Sequence, residues 1–265
     1  MNLNIENKVA LVTGGVQGIG SSITRNLLDE GARVIATSRS QEAIDKFINE
    51  LDKKYVKNLT CIISQLTEPG EILALHDQIK HQNHSVDILV NNAGHTMNIT
   101  DPFCSIEDWQ KVWALNFNVV VELVNLLVPD MKQKKWGRIV NITSCAGLEN
   151  SGPVTFSTVK AALTAYTRSM GRVLAIEEPG IVMSALFPGV VITKGGHWEE
   201  VLKNNPEHAE KYLAERCPVG RFGEIDEIGP IVALYCSELA SFCHGAIIPV
   251  DAGQSKHFMY FNYME

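Results

Sequence analysis

The sequence predicts a doubly wound α/β domain, a parallel sheet of about seven strands with helices on both faces. Three observations carry this. Short β-branched runs alternate with longer stretches of helical period along the chain. Several of these runs (VALVT, VIAT, DILV, IIPV) are almost wholly apolar, as strands buried on both faces are. No repeat, low-complexity tract or linker interrupts the alternation, so the 265 residues read as one domain, 1–265.

The elements follow in order. Val9–Thr13 is a strand and Ser21–Glu30 a helix, with Gly31 suited to its C-cap. Arg33–Thr37 is the second strand, followed by a polar helix over Gln41–Lys53. Leu59–Ser64 is the third strand, and the next helix starts near Pro69, a good first-turn residue. Asp87–Asn91 is the fourth strand. A long helix over Ile106–Lys134 carries Trp109, Trp113, Phe117 and Val121. Arg138–Thr143 is the fifth strand, Pro153–Ile176 a helix and Ile181–Phe187 the sixth strand. Two short helices are expected within Trp198–Arg216, another over Asp226–Ser237, and a last strand over Ala246–Val250.

Composition narrows the function classes. Apolar residues make up 45% and charged residues 20% of the chain, ordinary for a globular protein. A net charge of -7 disfavours non-specific binding to nucleic acid or anionic membrane, both polyanions. No continuous apolar run approaches the roughly 20 residues that span a bilayer, and Met1–Lys8 lacks a signal peptide's apolar stretch. A cytoplasmic protein is expected. The six cysteines form no C-x-x-C pair and read as reduced thiols without a metal.

In such sheets ligands bind beyond the carboxyl ends of the strands, and the informative motifs fall there. Thr13-Gly14-Gly15-Val16-Gln17-Gly18-Ile19-Gly20 joins the first strand to the first helix. Gly14 is free to take angles that a side chain forbids. Gly18 and Gly20 are expected to let the backbone approach a dinucleotide. The N–H groups of the helix start, over Val16, Gln17 and Ile19, then face its pyrophosphate.

The T-G-x-x-x-G-x-G spacing resembles that of short-chain dehydrogenases/reductases, and the resemblance recurs in order over about Lys8–Gly253. Asn91-Asn92-Ala93-Gly94, Asn116, Ser144, Lys160, Pro188-Gly189 with Thr193, and Asp251-Ala252-Gly253 each stand where that family has its motifs. The resemblance implies a Rossmann-type fold, a nicotinamide dinucleotide, and hydride transfer between nicotinamide and a carbonyl or alcohol. It implies that Asn92, Ala93 and Gly94 border the cofactor and that Pro188, Gly189, Val191 and Thr193 hold its carboxamide. It also implies a homotetramer or homodimer.

The second strand ends without an acid for a ribose 2′-hydroxyl; Ser38 and Arg39 follow it. A guanidinium suits a 2′-phosphate, so NADP(H) is favoured over NAD(H). Gln65, beside Leu66, stands where the family has an Asp for adenine, and its carbonyl can accept from the adenine amino group.

The resemblance implies a catalytic set of Asn116, Ser144, a Tyr, and Lys160. The Tyr position holds Phe156, which keeps the ring and loses the ionisable hydroxyl. General acid catalysis is typically worth about 10²–10⁴ in rate, so the family's chemistry is expected to be impaired or altered. Three accounts stay open. Another group (His95, Ser144, Ser157 or Lys160) donates the proton; Phe156 is an engineered Tyr→Phe replacement; or the chain is a catalytically silent dinucleotide-binding regulator or partner subunit.

Ketoacyl-carrier reductases within the family resemble this chain. Their acidic carrier docks on basic residues, for which Lys132, Lys134 and Lys135 are candidates, but Glu177-Glu178 opposes such docking. Residues 193–216 are expected to close over a polar substrate as a lid. The tail, residues 254–265, carries Phe258, Met259, Tyr260, Phe261 and Tyr263 and is expected to contact a neighbouring subunit.

Overall fold

A computed structural model of the chain describes residues 2–82, 84–149 and 151–256. The tail residues Phe258–Tyr263, expected at a subunit contact, lie outside the described residues. In chain order the first half comprises β1 (Val9–Val12), α1 (Gly18–Asp29), β2 (Arg33–Ser38), α2 (Gln41–Glu50), α3 (Lys53–Val56), β3 (Leu59–Ile63), α4 (Glu71–His81) and β4 (Ile88–Asn91). α5 (Ile106–Trp113), a π-helical turn (Ala114–Asn118) and α6 (Val119–Lys134) form one continuous helix. Then come β5 (Gly137–Ile142), α7 (Val154–Glu177), β6 (Ile181–Pro188), β7 (Val191–Ile192), α8 (His197–Asn204), α9 (Pro206–Arg216), β8 (Gly223–Glu224), α10 (Gly229–Tyr235) and β9 (Ile247–Val250).

Seven parallel strands pair in the order β3-β2-β1-β4-β5-β6-β9. The expected fold class is the observed one. The apolar strands are explained by burial on both faces. Ala10 and Val12 of β1 pack with Ile23 and Leu27 of α1 and Val232 of α10, whereas Val9 and Leu11 face Leu123 and Leu127 of α6 and Leu163 of α7. The order reverses between β1 and β4, which opens a crevice beyond their carboxyl ends.

Several boundaries differ from expectation. α1 begins at Gly18 rather than Ser21, so the glycines themselves form its first turn. The helix expected over Gln41–Lys53 breaks at Leu51, because the Asp52 side chain accepts from Lys54 N–H and restarts it as α3. α4 starts at Glu71, behind Gly70 at φ 83°, and leaves Pro69 outside. The helix expected from Asp226 is a 3₁₀ turn, Ile225–Glu227, followed by α10 with Pro230 in its first turn. Gly31 does take the left-handed conformation, φ 80°, beyond α1. The short parallel pair β7–β8 was not expected.

The helix through Ile106–Lys134 is more apolar than expected. Among the described residues it reaches the length and hydropathy of a bilayer span, with a window of mean hydropathy 1.6. Its apolar residues Leu123, Leu127 and Met131 are buried in the core.

Candidate active site

The ends of β1 and β4 are laced together. Thr13 Oγ1 accepts from the N–H groups of Asn92 and Ala93, both at 3.0 Å, and Asn92 Nδ2 donates to Thr13 O at 2.9 Å and Gly14 O at 3.2 Å. Gly14 stands at φ 63° and donates its N–H to Thr37 Oγ1. A Cβ on Gly20 would lie 2.1 Å from Gly14 O, so this glycine lets the helix fold back on its own turn. The N-cap of α1, Gln17, makes no side-chain hydrogen bond there, and the first-turn N–H groups are left for an anion.

Beyond these ends lies a cleft of about 460 Å³. Gly14, Val16, Gln17, Gly18 and Ile19 line it from the first turn, Ser38 and Arg39 from β2, and Gln65 and Leu66 from the segment after β3. Asn92, Ala93 and Gly94 border it after β4, and Pro188, Gly189, Val191 and Thr193 after β6. Ser144, Phe156 and Lys160 line it as well. Two expected residues do not. Gly20 is buried under the turn for the reason just given, and Asn116 is fully buried.

Asn116 sits in the π-helical turn and donates from Nδ2 to His95 O at 2.9 Å and Val112 O at 2.8 Å, tying the long helix to the loop after β4. Its Oδ1 is buried without a partner. A Cβ on Gly94 would lie 2.7 Å from that oxygen and 2.9 Å from Lys160 Nζ, so a glycine is needed for both to fit.

Lys160 is 3% exposed and donates to Ile142 O at 3.0 Å. Burial lowers its ammonium from 10.5 to about 8. The Phe156 ring centre is 5.5 Å from Nζ, one helical turn away on the same face of α7. Ser144 Oγ accepts from Ala146 N–H at 3.1 Å. His95 Nδ1 accepts from Met97 N–H at 2.8 Å; burial first, and then the Arg39 charge, lower its pKa. Arg39 is exposed, and its carbonyl accepts from Gln65 Nε2.

The Thr193–Arg216 segment forms its own small cluster over one side of the cleft. Trp198 lies 4.3 Å from the Tyr212 ring and 5.1 Å from Phe222, and also lines the cleft. Gln254 holds this cluster to β6. Its amide donates to Tyr212 OH at 2.9 Å, and its Oε1 accepts from Val190 N–H at 2.9 Å. The Asp251 carboxylate accepts from Gly253 and Ser255 N–H groups, so the Asp-Ala-Gly motif builds a turn.

Sequence reasoning missed Thr37, Ser64, Met97, Leu115, Thr143 and Val190 as lining residues. Thr37, Ser64 and Thr143 stand at or just past strand ends, so the strand-end rule alone would have found them. Met97 and Leu115 arrive through a loop with positive φ at Met97 and through the π turn, which no local pattern announced.

A doubly wound sheet with a glycine-rich first βα turn at its switch point defines the class of dinucleotide-binding α/β proteins. Within that class the sequence model of the short chain dehydrogenases matches residues 8–200. The chain is an oxidoreductase of the short-chain dehydrogenase family. It is 34% identical over 254 residues to the 3-oxoacyl-(acyl-carrier-protein) reductase FabG of Aquifex aeolicus, covering 96% of this chain and 99% of that one. The FabG of Escherichia coli is 30% identical over 255 residues, covering 95% and 98%. In structure it is similar to the L-sorbose reductase of Gluconobacter frateurii complexed with NADPH and L-sorbose. That match has a TM-score of 0.88 and 26% identity, over 97% of this chain and 99% of that one.

Proposed function

We propose that this chain is an NADP(H)-dependent reductase in which Phe156 stands where its family places a proton-donating Tyr. The observation that carries the reading is that Ser144, Phe156 and Lys160 share one cleft with the glycine-rich turn and Arg39. Bound there, the nicotinamide supplies or accepts hydride, and every other task falls to the chain. The uncapped start of α1 receives the pyrophosphate, and Gly18 leaves space over which the Thr193 methyl closes, 3.4 Å from where a Cβ would sit. Arg39 meets the ribose 2′-phosphate, and Gln65 Oε1 remains available to adenine because its amide is directed to Arg39 O. Lys160 contacts the nicotinamide ribose, Ser144 orients the substrate oxygen, and Asn116 acts indirectly by holding the His95 loop. The presence of NADPH in the sorbose reductase structure supports the cofactor assignment.

The substrate is a small polar carbonyl compound rather than an acyl chain on an acidic carrier. Lys132 lies 3.9 Å from Glu177 and 3.8 Å from Glu178, and Lys134 lies 2.6 Å from Asp87. These lysines already face the chain's own acids. The Trp198 cluster is the lid that shields the reacting end from water.

The test is a fluorescence titration with NADPH and NADH, followed by NADPH oxidation with hydroxyketones, sugars and 3-oxoacyl thioesters. Tighter NADPH binding and turnover with a polar ketone are expected, with turnover raised in Phe156→Tyr. If neither the parent nor Phe156→Tyr oxidises NADPH with any carbonyl, the reductase reading is overturned and a silent binding role takes its place.

A further inference from the structure

We propose that Lys160 itself is the proton donor to the substrate oxygen, beyond its contact with the ribose; the inference rests on the reductase reading above. Four groups are candidates, Ser157, Ser144, His95 and Lys160, and the first does not line the cleft. Phe156 has no proton to give. Ser144 Oγ is engaged by Ala146 N–H, with no imidazole or carboxylate among its hydrogen-bond partners to reload it. His95 Nδ1 is occupied as an acceptor by the Met97 N–H, and burial first, then the Arg39 charge, lower its pKa and so disfavour the ring that could give up a proton.

Among the described residues no tyrosine lines the cleft. Tyr212 is turned to Gln254, and Tyr166 packs edge-on against Phe117; neither lines the cleft. Lys160 lines it and donates to Ile142 O, so an ammonium with three protons has donors to spare. Titratable groups on the segments that border the same end of the cleft include His95 after β4 and Cys145 after β5. Burial is the cause that lowers the ammonium, which makes it a better acid.

The step balances. The carbonyl carbon takes hydride from the reduced nicotinamide, and the C=O π pair moves to oxygen. An N–H bond of Lys160 breaks as the O–H bond forms. The substrate leaves reduced, the nicotinamide oxidised, and the neutral amine regains a proton from water.

The experiment compares the parent, Lys160→Arg and the double variant Phe156→Tyr/Lys160→Arg. NADPH affinity is read by fluorescence, and hydride transfer by single-turnover absorbance with a ketone from the panel above. A guanidinium keeps the charge but does not release a proton at working pH. Lys160→Arg is therefore expected to bind NADPH within a few-fold of the parent and to lose about 10²–10⁴ in hydride transfer. The double variant, with a Tyr hydroxyl restored, is expected to recover part of that rate. In the unliganded parent, acylation of the Lys160 amine followed by mass spectrometry should show a half-point near pH 8. A Lys160→Arg variant as fast as the parent overturns the proposal and leaves the reductase reading intact. So does a parent that is inert while Phe156→Tyr turns over. A parent that binds no NADPH overturns both.

Discussion

Replacing Lys160 by Met is expected to stabilise the unliganded protein. The side chain is 3% exposed, and burial lowers its ammonium from 10.5 to about 8. That difference corresponds to about 3 kcal/mol of instability at neutral pH. Met fills similar space without a charge, but leaves Ile142 O without its donor, a loss of about 1 kcal/mol. The net gain is about 2 kcal/mol, or roughly 4–8 °C in Tm for a domain of this size. The sign with pH follows from the lowered value. Between about 8 and 10.5 the unfolded chain binds the proton and the folded chain does not, so parent stability rises with pH across that window. Below pH 8 the penalty is fully present. Thermal unfolding of parent and variant at pH 7, 9 and 10 should show a gap that is widest at pH 7 and closes toward 10.5. A Met variant less stable than the parent at pH 7, or a gap independent of pH, would refute the reasoning.

Two further outcomes are expected. Arg39→Ser should weaken NADPH binding by about 10–100-fold, the range of one or two charge-assisted hydrogen bonds, and leave NADH binding nearly unchanged in a fluorescence titration. Gly14→Ala, at φ 63° with Asn92 Nδ2 3.3 Å from the new Cβ, should cost about 1–2 kcal/mol by denaturant unfolding. Gly20→Ala should cost more, because its Cβ would meet Gly14 O at 2.1 Å and the turn has to open.

The chemistry of the cleft was legible wherever one residue type has a single local meaning. Arg39 without an acid on β2, and Phe156 four residues before Lys160, are read off the chain and lie where a helix and a strand end put them. Asn116 shows where reading stops. Its place in a long helix is visible, but the π turn that aims its amide at the His95 carbonyl is set by packing between that helix and the loop after β4. The lysines at the end of α6 show the same limit. They read as a basic patch until Lys132 is found near Glu177 and Glu178, more than forty residues on.

By itself the sequence determined the sheet, its both-face burial and many of the polar groups in the cleft, though not Thr37, Ser64 or Thr143. Periodicity and glycine placement act over a few residues, and those are the distances a chain records directly. Tertiary structure decided the states of those groups. Lys160 is one lysine among many in the sequence. It becomes an acid near neutral pH because β5, the Gly94 loop and α7 together exclude water from its ammonium. Desolvation sums over surroundings brought from the whole chain, and no local pattern carries that sum.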